Sequence, residues 1–320
     1  MKFHQPFLVI LAGLTLCSPT KLHAVGATVH FDALSDISSF SYPNSTAQTT
    51  FGFDNTTGVG GTGGSGVFQS TAGAGSEKRV LALYDGLNLN SPDVTSWETS
   101  VYLKFSDLVS TPANGTNSAE ARFGFFAANP AYNYGGSKPQ DFVSLNPSFY
   151  AKAKFEWERG AGKEAVISIE PLFSTGSTEL GLSGASKMKT TQFDLNDWFK
   201  FTLTITRDDT PGNNRYNGSA AIYDVGLDGR DDPLLLTGIG GVESASSFQS
   251  WTGAVNGPFS TSAHISGAMV LGGEKGLAWS NLYNLHVDEY SVMAVTVPEP
   301  NSLILLALMT TCFRYRRSDR

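Results

Sequence analysis

The sequence predicts an all-β protein, an antiparallel two-sheet β-sandwich. Three observations predict it. Apolar and polar residues alternate every second position in several runs, which puts one face of a strand in a core and the other outside. Val101, Leu103 and Phe105, for example, alternate with Ser100, Tyr102 and Lys104. Turn pairs punctuate the chain, among them Asp85-Gly86, Asn217-Gly218 and Asp228-Gly229. Between Val25 and Thr296 there is no helix-period stretch of useful length, no repeat and no proline-rich linker.

In order, Val29 and Phe31 alternate with His30 and Asp32, a short first strand. Residues 51–76 are rich in Gly, Ser and Thr and read as a flexible surface loop. Their glycines lack a Gly-Lys-Ser/Thr ending, so they do not form a phosphate loop. Residues 80–84 form a buried-type strand, and Phe123 and Phe125 mark another. Residues 149–170 give the clearest hairpin. Phe149, Ala151, Ala153, Phe155 and Trp157 point one way, and Tyr150, Lys152, Lys154, Glu156 and Glu158 the other. Ala165, Ile167 and Ile169 return along the inner face. Phe199, Phe201, Leu203 and Ile205 alternate with threonines and Lys200, and Asn217-Gly218 then turns into a strand with Ala221, Tyr223 and Val225. A turn at 228–232, a strand at 234–237 and strands at 262–271 and 282–295 complete the domain. In the last of these, Leu285 and Val287 share one parity and Tyr290 and Val292 the other, which predicts a β-bulge at Asp288 and Glu289.

The order of strands around Trp97–Phe105, Trp198–Arg207, Tyr216–Asp224 and Asn284–Val292 resembles that of concanavalin-like and laminin-G-like jelly rolls. The resemblance implies a two-sheet jelly roll whose first strand, near Phe31, pairs beside the last, near Val287.

Both ends of the chain read as addresses. Lys2, the apolar run from Phe7 to Leu16 and the Leu22-His23-Ala24 site make residues 1–24 a signal peptide, with the mature chain starting near Val25. At the other end, Val297-Pro298-Glu299-Pro300 is a stiff extended block, because proline fixes φ and constrains the residue before it. An apolar run from Ser302 to Phe313 follows, then Arg314, Arg316, Arg317 and Arg320. As a helix that run is about 18 Å long, short of a bilayer's core of about 30 Å. Arginines behind it hold that end on the cytoplasmic side, a weak transmembrane anchor. In all three parts, residues 297–320 resemble the bacterial PEP-CTERM sorting signal. That resemblance implies recognition by an exosortase, loss of the tail, and passage from a transient membrane anchor to the cell surface or matrix. Asn301 stands where the family more often has a small residue.

Residues 25–296 are therefore the functional domain. The full chain carries 22 Lys and Arg against 29 Asp and Glu; without its ends 16 cations face 27 carboxylates, a net charge of −11. Such acidity disfavours nucleic acid, which rewards basic patches. Both cysteines lie in the removed ends, so the domain has no disulfide and no thiolate metal site.

Three sets of residues are candidates for chemistry. Glu156 and Glu158 lie two apart on one strand, an arrangement open to the acid pair of a glycoside hydrolase, but Gly160 follows where a third acid would stand and two lysines share the face. A solvated charged face is the plainer reading. Asp288 and Glu289, with Asp32 from the first strand, offer hard oxygen ligands for a structural Ca²⁺, against a role in protecting a sheet edge by charge. Tyr132 and Tyr134, in an Asn- and Gly-rich loop, with Trp251 and Trp279, are candidate sugar-contacting aromatics, against ordinary loop packing. The three histidines of the domain follow no zinc pattern, and no Gly-x-Ser-x-Gly elbow is present.

The expectation is an exported, surface-sorted jelly-roll protein that binds carbohydrate or matrix polymer without cleaving it. Its partners would be the Sec machinery, signal peptidase, an exosortase and a polysaccharide. The alternatives are a glycoside hydrolase on the same fold and a purely structural component of envelope or biofilm.

Overall fold

The structure, a computed structural model, describes residues 24–42, 49–61, 63–70, 79–84, 87–91, 94–106, 117–128, 145, 148–157, 165–174, 179–181, 188–191, 193–208, 215–236, 245–247, 264–272 and 284–296. In chain order its strands are β1 (Ala24–Val29), β2 (Thr49–Asp54), β3 (Ser65–Ser70), β4 (Arg79–Tyr84), β5 (Val94–Ser106), β6 (Asn117–Ala128), β7 (Ser148–Trp157) and β8 (Ala165–Ser174). They continue with β9 (Glu179–Gly181), β10 (Met188–Thr190), β11 (Phe199–Asp208), β12 (Arg215–Asp224), β13 (Leu234–Leu235), β14 (Ala245–Ser247), β15 (His264–Gly272) and β16 (Asn284–Thr296). A single turn of helix, α1 (Leu34–Ile37), follows β1.

Two antiparallel sheets face one another, the sandwich that the strand rhythm predicts and the jelly roll that the resemblance implies. The nine-stranded sheet runs β13-β12-β11-β5-β16-β3-β2, with β1 on β16 and β14 on β12. The seven-stranded sheet runs β10-β8-β7-β6-β15-β4, with β9 on β8. The core between them follows the period of two. From β5 it takes Trp97, Val101, Leu103 and Phe105; from β7, Phe149, Ala151, Ala153 and Phe155. Rings interlock across the gap: Phe105 stacks on Phe155 at 5.2 Å, and Phe149 meets Tyr216 at 5.1 Å. The predicted hairpin is present, with Trp157 opposite Ala165.

Four expectations are corrected. The Gly-rich stretch is largely a hairpin: β2 and β3 pair from Thr49↔Ser70 to Asp54↔Ser65, and Val67 and Phe68 are buried. Its glycines permit close packing, since a Cβ at Gly66 would run into the Phe51 and Phe31 rings. Asn217-Gly218 is no turn but lies inside β12, which pairs with β11 as far out as Asp208↔Arg215. The Pro211-Gly212 pair between those residues is the better turn signal. The parity of β12 is consequently reversed: Tyr216, Ala220 and Ile222 face the core, and Tyr223 the outside. Finally, Phe31 is not in the first strand. The chain leaves β1 at Val29 and turns at Phe31, whose φ of 52° drops its ring into the core against Phe40.

The first strand does pair with the last. Ala24 lies opposite Val295 and Val29 opposite Tyr290. β16 thus has two partners on one side: β3 along residues 284–287 and β1 along 290–295. The predicted bulge sits at this hand-over. The register with β5 shifts between Asp288 and Ser291, and Glu289 takes φ 44°. One extra residue moves the inward set from Leu285 and Val287 to Tyr290, Val292 and Ala294.

Candidate functional site

The bulge opens on the outer face of the nine-stranded sheet, and the segments 55–64 and 225–232 stand around it. Asp288 is 2% exposed. Its Oδ2 accepts the Val59 N–H at 2.9 Å and its Oδ1 the Glu289 N–H at 2.7 Å. Burial pushes its carboxyl up to about 7, against the pull of those two N–H donors and with a push from Glu289 and Asp32. Glu289 takes a different partner, Arg230 Nη2 at 2.8 Å, with His30 Nδ1 at 3.8 Å. Asp32 is exposed beside the same segment, close enough that a Cβ on Gly63 would crowd its carboxylate. The three predicted carboxylates therefore lie in one region, with Asp288 held by backbone N–H groups and Glu289 by Arg230. Among the described residues no three His, Cys, Asp or Glu side chains form a group that could hold a metal ion.

Two turns are locked onto this face by glycines at positive φ. Gly226 and Gly229 have φ of 77° and 76°, and Gly60 donates its N–H to the Asp228 carbonyl. Val59, Trp198 and Val225 form a small cluster beneath them, with Tyr102 and Tyr223 packed against it. Lys104 lies over the Trp198 ring at 6.0 Å and donates to the Leu227 carbonyl. Burial lowers its ammonium, partly offset by Asp197 and Asp194.

A row of side chains crosses four strands beside the bulge. Asp288 pairs with Tyr102, Tyr102 with Lys200, and Lys200 with Tyr223. The Lys200 ammonium sits 5.6 Å from the Tyr102 ring. Tyr102, Lys200 and Tyr223 are all half-buried, leaving one side open to solvent. Hydroxyl rows follow down the same face. Ser291, Ser100 and Thr202 are register neighbours, as are Thr204 with Ser219 and Ser96 with Thr206. This is a polar surface with two aromatic rings at one end.

A Ser-His-Asp trio also assembles there, which the sequence reading missed because β2, β3 and β16 are far apart in the chain. Ser65 Oγ lies 3.0 Å from His286 Nδ1, and Asp54 Oδ2 lies 3.6 Å from the same nitrogen. A relay needs serine and carboxylate on opposite ring nitrogens, so this arrangement does not activate Ser65. Ser65 and His286 are buried, with the Trp198 ring edge-on to the imidazole at 6.5 Å.

The other candidates fall differently. Glu156 is in β7, opposite Ser118 and Val166; its side chain and all of Glu158 lie outside the described residues. The face they share is not the solvated one expected. Lys154, Glu120 and Arg122 are 7%, 3% and 4% exposed, with Arg122 Nε on Glu120 Oε1 and Lys152 Nζ 3.7 Å from Glu120 Oε2. Beside them a second apolar cluster, including Leu81, Phe126, Leu145 and Tyr150, is buried on the same outer face. Tyr132, Tyr134, Trp251 and Trp279, the signal peptide up to His23 and the sorting segment from Val297 lie outside the described residues. Among the described residues no helix is long and apolar enough to cross a membrane.

No family model matches the chain, and no curated protein matches it. Solved structures do resemble it. An endo-1,3-beta-glucanase from Streptomyces sioyaensis is 11% identical, over 88% of this chain and 99% of that one, with a TM-score of 0.44. A carbohydrate esterase from the Shiga toxin-encoding bacteriophage phi24B is 15% identical over 86% and 99%, at 0.38. The basic lectin of winged bean, solved with Tn-antigen, is 10% identical over 86% and 100%, at 0.36. At such identities and scores the likeness carries neither ligand nor chemistry to this chain.

Proposed function

We propose that the chain is an exported, surface-sorted protein whose sandwich binds an extracellular polysaccharide without cleaving it, through the outer face of the nine-stranded sheet. The supporting observation is the row Tyr102, Lys200 and Tyr223 at the head of the hydroxyl rows. An extended sugar polymer offers apolar ring faces and hydroxyls at a regular spacing. Half-exposed tyrosines suit the first and serine and threonine hydroxyls the second. Cleavage would need two carboxylates flanking one bond. Asp288 and Glu289, the two beside the row, are instead committed to backbone N–H groups and to Arg230. Export by Sec, signal-peptidase cleavage and exosortase recognition belong to the same reading. They rest on residues 1–24 and on the PEP-CTERM-like segment 297–320.

The test is retention of the segment Val25–Thr296 on insoluble and soluble polysaccharides, with and without Ca²⁺. Tyr223→Ala should weaken retention about 2- to 13-fold, since one stacked ring contributes on the order of 0.5–1.5 kcal/mol, while the variant still melts cooperatively, at a lower temperature because the ring also packs on the Val59, Trp198 and Val225 cluster. Release of reducing sugar by the parent would replace this reading with the hydrolytic one. Failure to retain any polymer would leave the hydroxyl-bearing face to a structural role in envelope or matrix.

A further inference from the structure

We propose that the polymer taken by the tyrosine row is a glycan of β-1,4-linked pyranoses, the fully extended linkage class, and that it lies across the strands with Tyr102 and Tyr223 stacked on alternate sugars. This rests on the polysaccharide reading above and adds to it the linkage and the direction of the glycan.

The register places the two rings. Tyr102 is paired with Lys200, and Lys200 with Tyr223, on neighbouring strands in the order β5-β11-β12. Paired residues leave the same face of a sheet, so the three side chains form a line across the strands. Such pairs lie about 4.5–5.5 Å apart in antiparallel neighbours, which sets the two tyrosines about 10 Å apart. The line goes one strand further, to half-buried Leu235 of β13, the partner of Tyr223. At its other end it stops at β16, where buried Asp288 holds the Val59 N–H.

Linkage decides which glycan spans that separation. When both links of a pyranose are equatorial, at C1 and C4, the chain is a straight ribbon and successive sugars turn over by half a revolution. Its two-sugar repeat closely matches the separation of the tyrosines. Alternate sugars then lay the same apolar face on Tyr102 and Tyr223. The sugar between them falls over Lys200, whose ammonium, 5.6 Å from the Tyr102 ring, is a donor for its hydroxyls. Ser100 and Thr202 are paired two residues away on β5 and β11, about 7 Å along the strands, and face the hydroxyl edge of the ribbon. β-1,3 and α-1,4 links curl a chain into a helix, so its alternate sugars do not meet both rings on this line.

The experiment titrates the full chain by calorimetry with cellohexaose, chitohexaose and mannohexaose for the β-1,4 class, laminarihexaose for β-1,3 and maltohexaose for α-1,4. At least one of the first three should bind about 2- to 13-fold more tightly than either of the others, the contribution of the second stacked ring. In that series affinity should rise by the same factor from the disaccharide to the trisaccharide, the shortest chain that covers both rings. The rise should be absent in Tyr223→Ala, and its persistence there overturns the pose. Both other readings are made on the parent, so the test survives a variant that fails to fold. Laminarihexaose or maltohexaose binding as tightly as the best β-1,4 sugar, or a β-1,4 series without the rise, overturns the proposal and leaves the polysaccharide reading in place. Silence from all these sugars, in protein that is retained on another polymer, does the same. Retention on no polymer overturns both.

Discussion

Asp288 ties two distant segments together with one carboxylate. It holds the 55–64 segment through Val59 and its own bulge through Glu289. Burial costs the ionised form more than two N–H donors return, so the folded protein keeps this proton to about pH 7, while the unfolded chain releases it near 3.8. Between those values the folded state binds more protons than the unfolded one. Stability from this site is therefore full below about pH 4 and is lost as the pH climbs through about 7. Asp288→Asn should flatten that part of the profile of melting temperature against pH; an unchanged slope would show that other groups set it. Glu289 and Phe31 occupy positive φ without being glycine, and both lie where β1 gives way to β3 beside β16. Such backbone costs on the order of 1–3 kcal/mol per residue. Glu289→Gly should relieve part of it, and because Arg230 then loses its partner, the net gain in stability should stay below about 1 kcal/mol.

Among elements, the β1–β16 pair is the most open to test. Thr28 and Ser291 are register partners, and their hydroxyls meet at 3.3 Å across 263 residues of chain. Thr28→Cys with Ser291→Cys should oxidise to a disulfide in a domain that has no other thiol, and the bond should stabilise it by about 2–4 kcal/mol. Comparing melting with and without reductant reads this directly. At the β6–β7 contact, a Cβ on Gly124 would fall on the Phe149 carbonyl. Gly124→Ala should therefore cost about 1–3 kcal/mol. The β7–β8 hairpin was legible in the sequence because ten residues alternate without interruption. Residues 51–76 were not, because glycine-rich composition masked Val67 and Phe68, and two of the glycines that suggested flexibility, Gly64 and Gly66, instead admit the rings of Phe53, Phe51 and Phe31. The β11–β12 connection was misplaced for a related reason: Asn-Gly is a turn signal only where the ladder ends, and this ladder runs past it.

At the scale of the molecule, a single interlocked core replaces covalent staples. Unfolding of the segment Val25–Thr296 should accordingly be indifferent to reductant, since both cysteines lie outside it. The candidate site was half legible. The change of parity at Asp288 and Glu289 could be read along one strand. The row of Tyr102, Lys200 and Tyr223 could not, because it depends on β5 lying beside β11, a neighbour about a hundred residues away in sequence. The same strand order carries a consequence for biogenesis. β16 lies in the interior of the nine-stranded sheet, between β5 and the β3–β1 side, yet among the described strands it is the last to be synthesised. Until it arrives, β5 and β3 each present an unzipped edge open to mispairing. A polypeptide ending at Tyr283 should show no cooperative melt, and adding residues 284–296 back as a synthetic peptide should restore one.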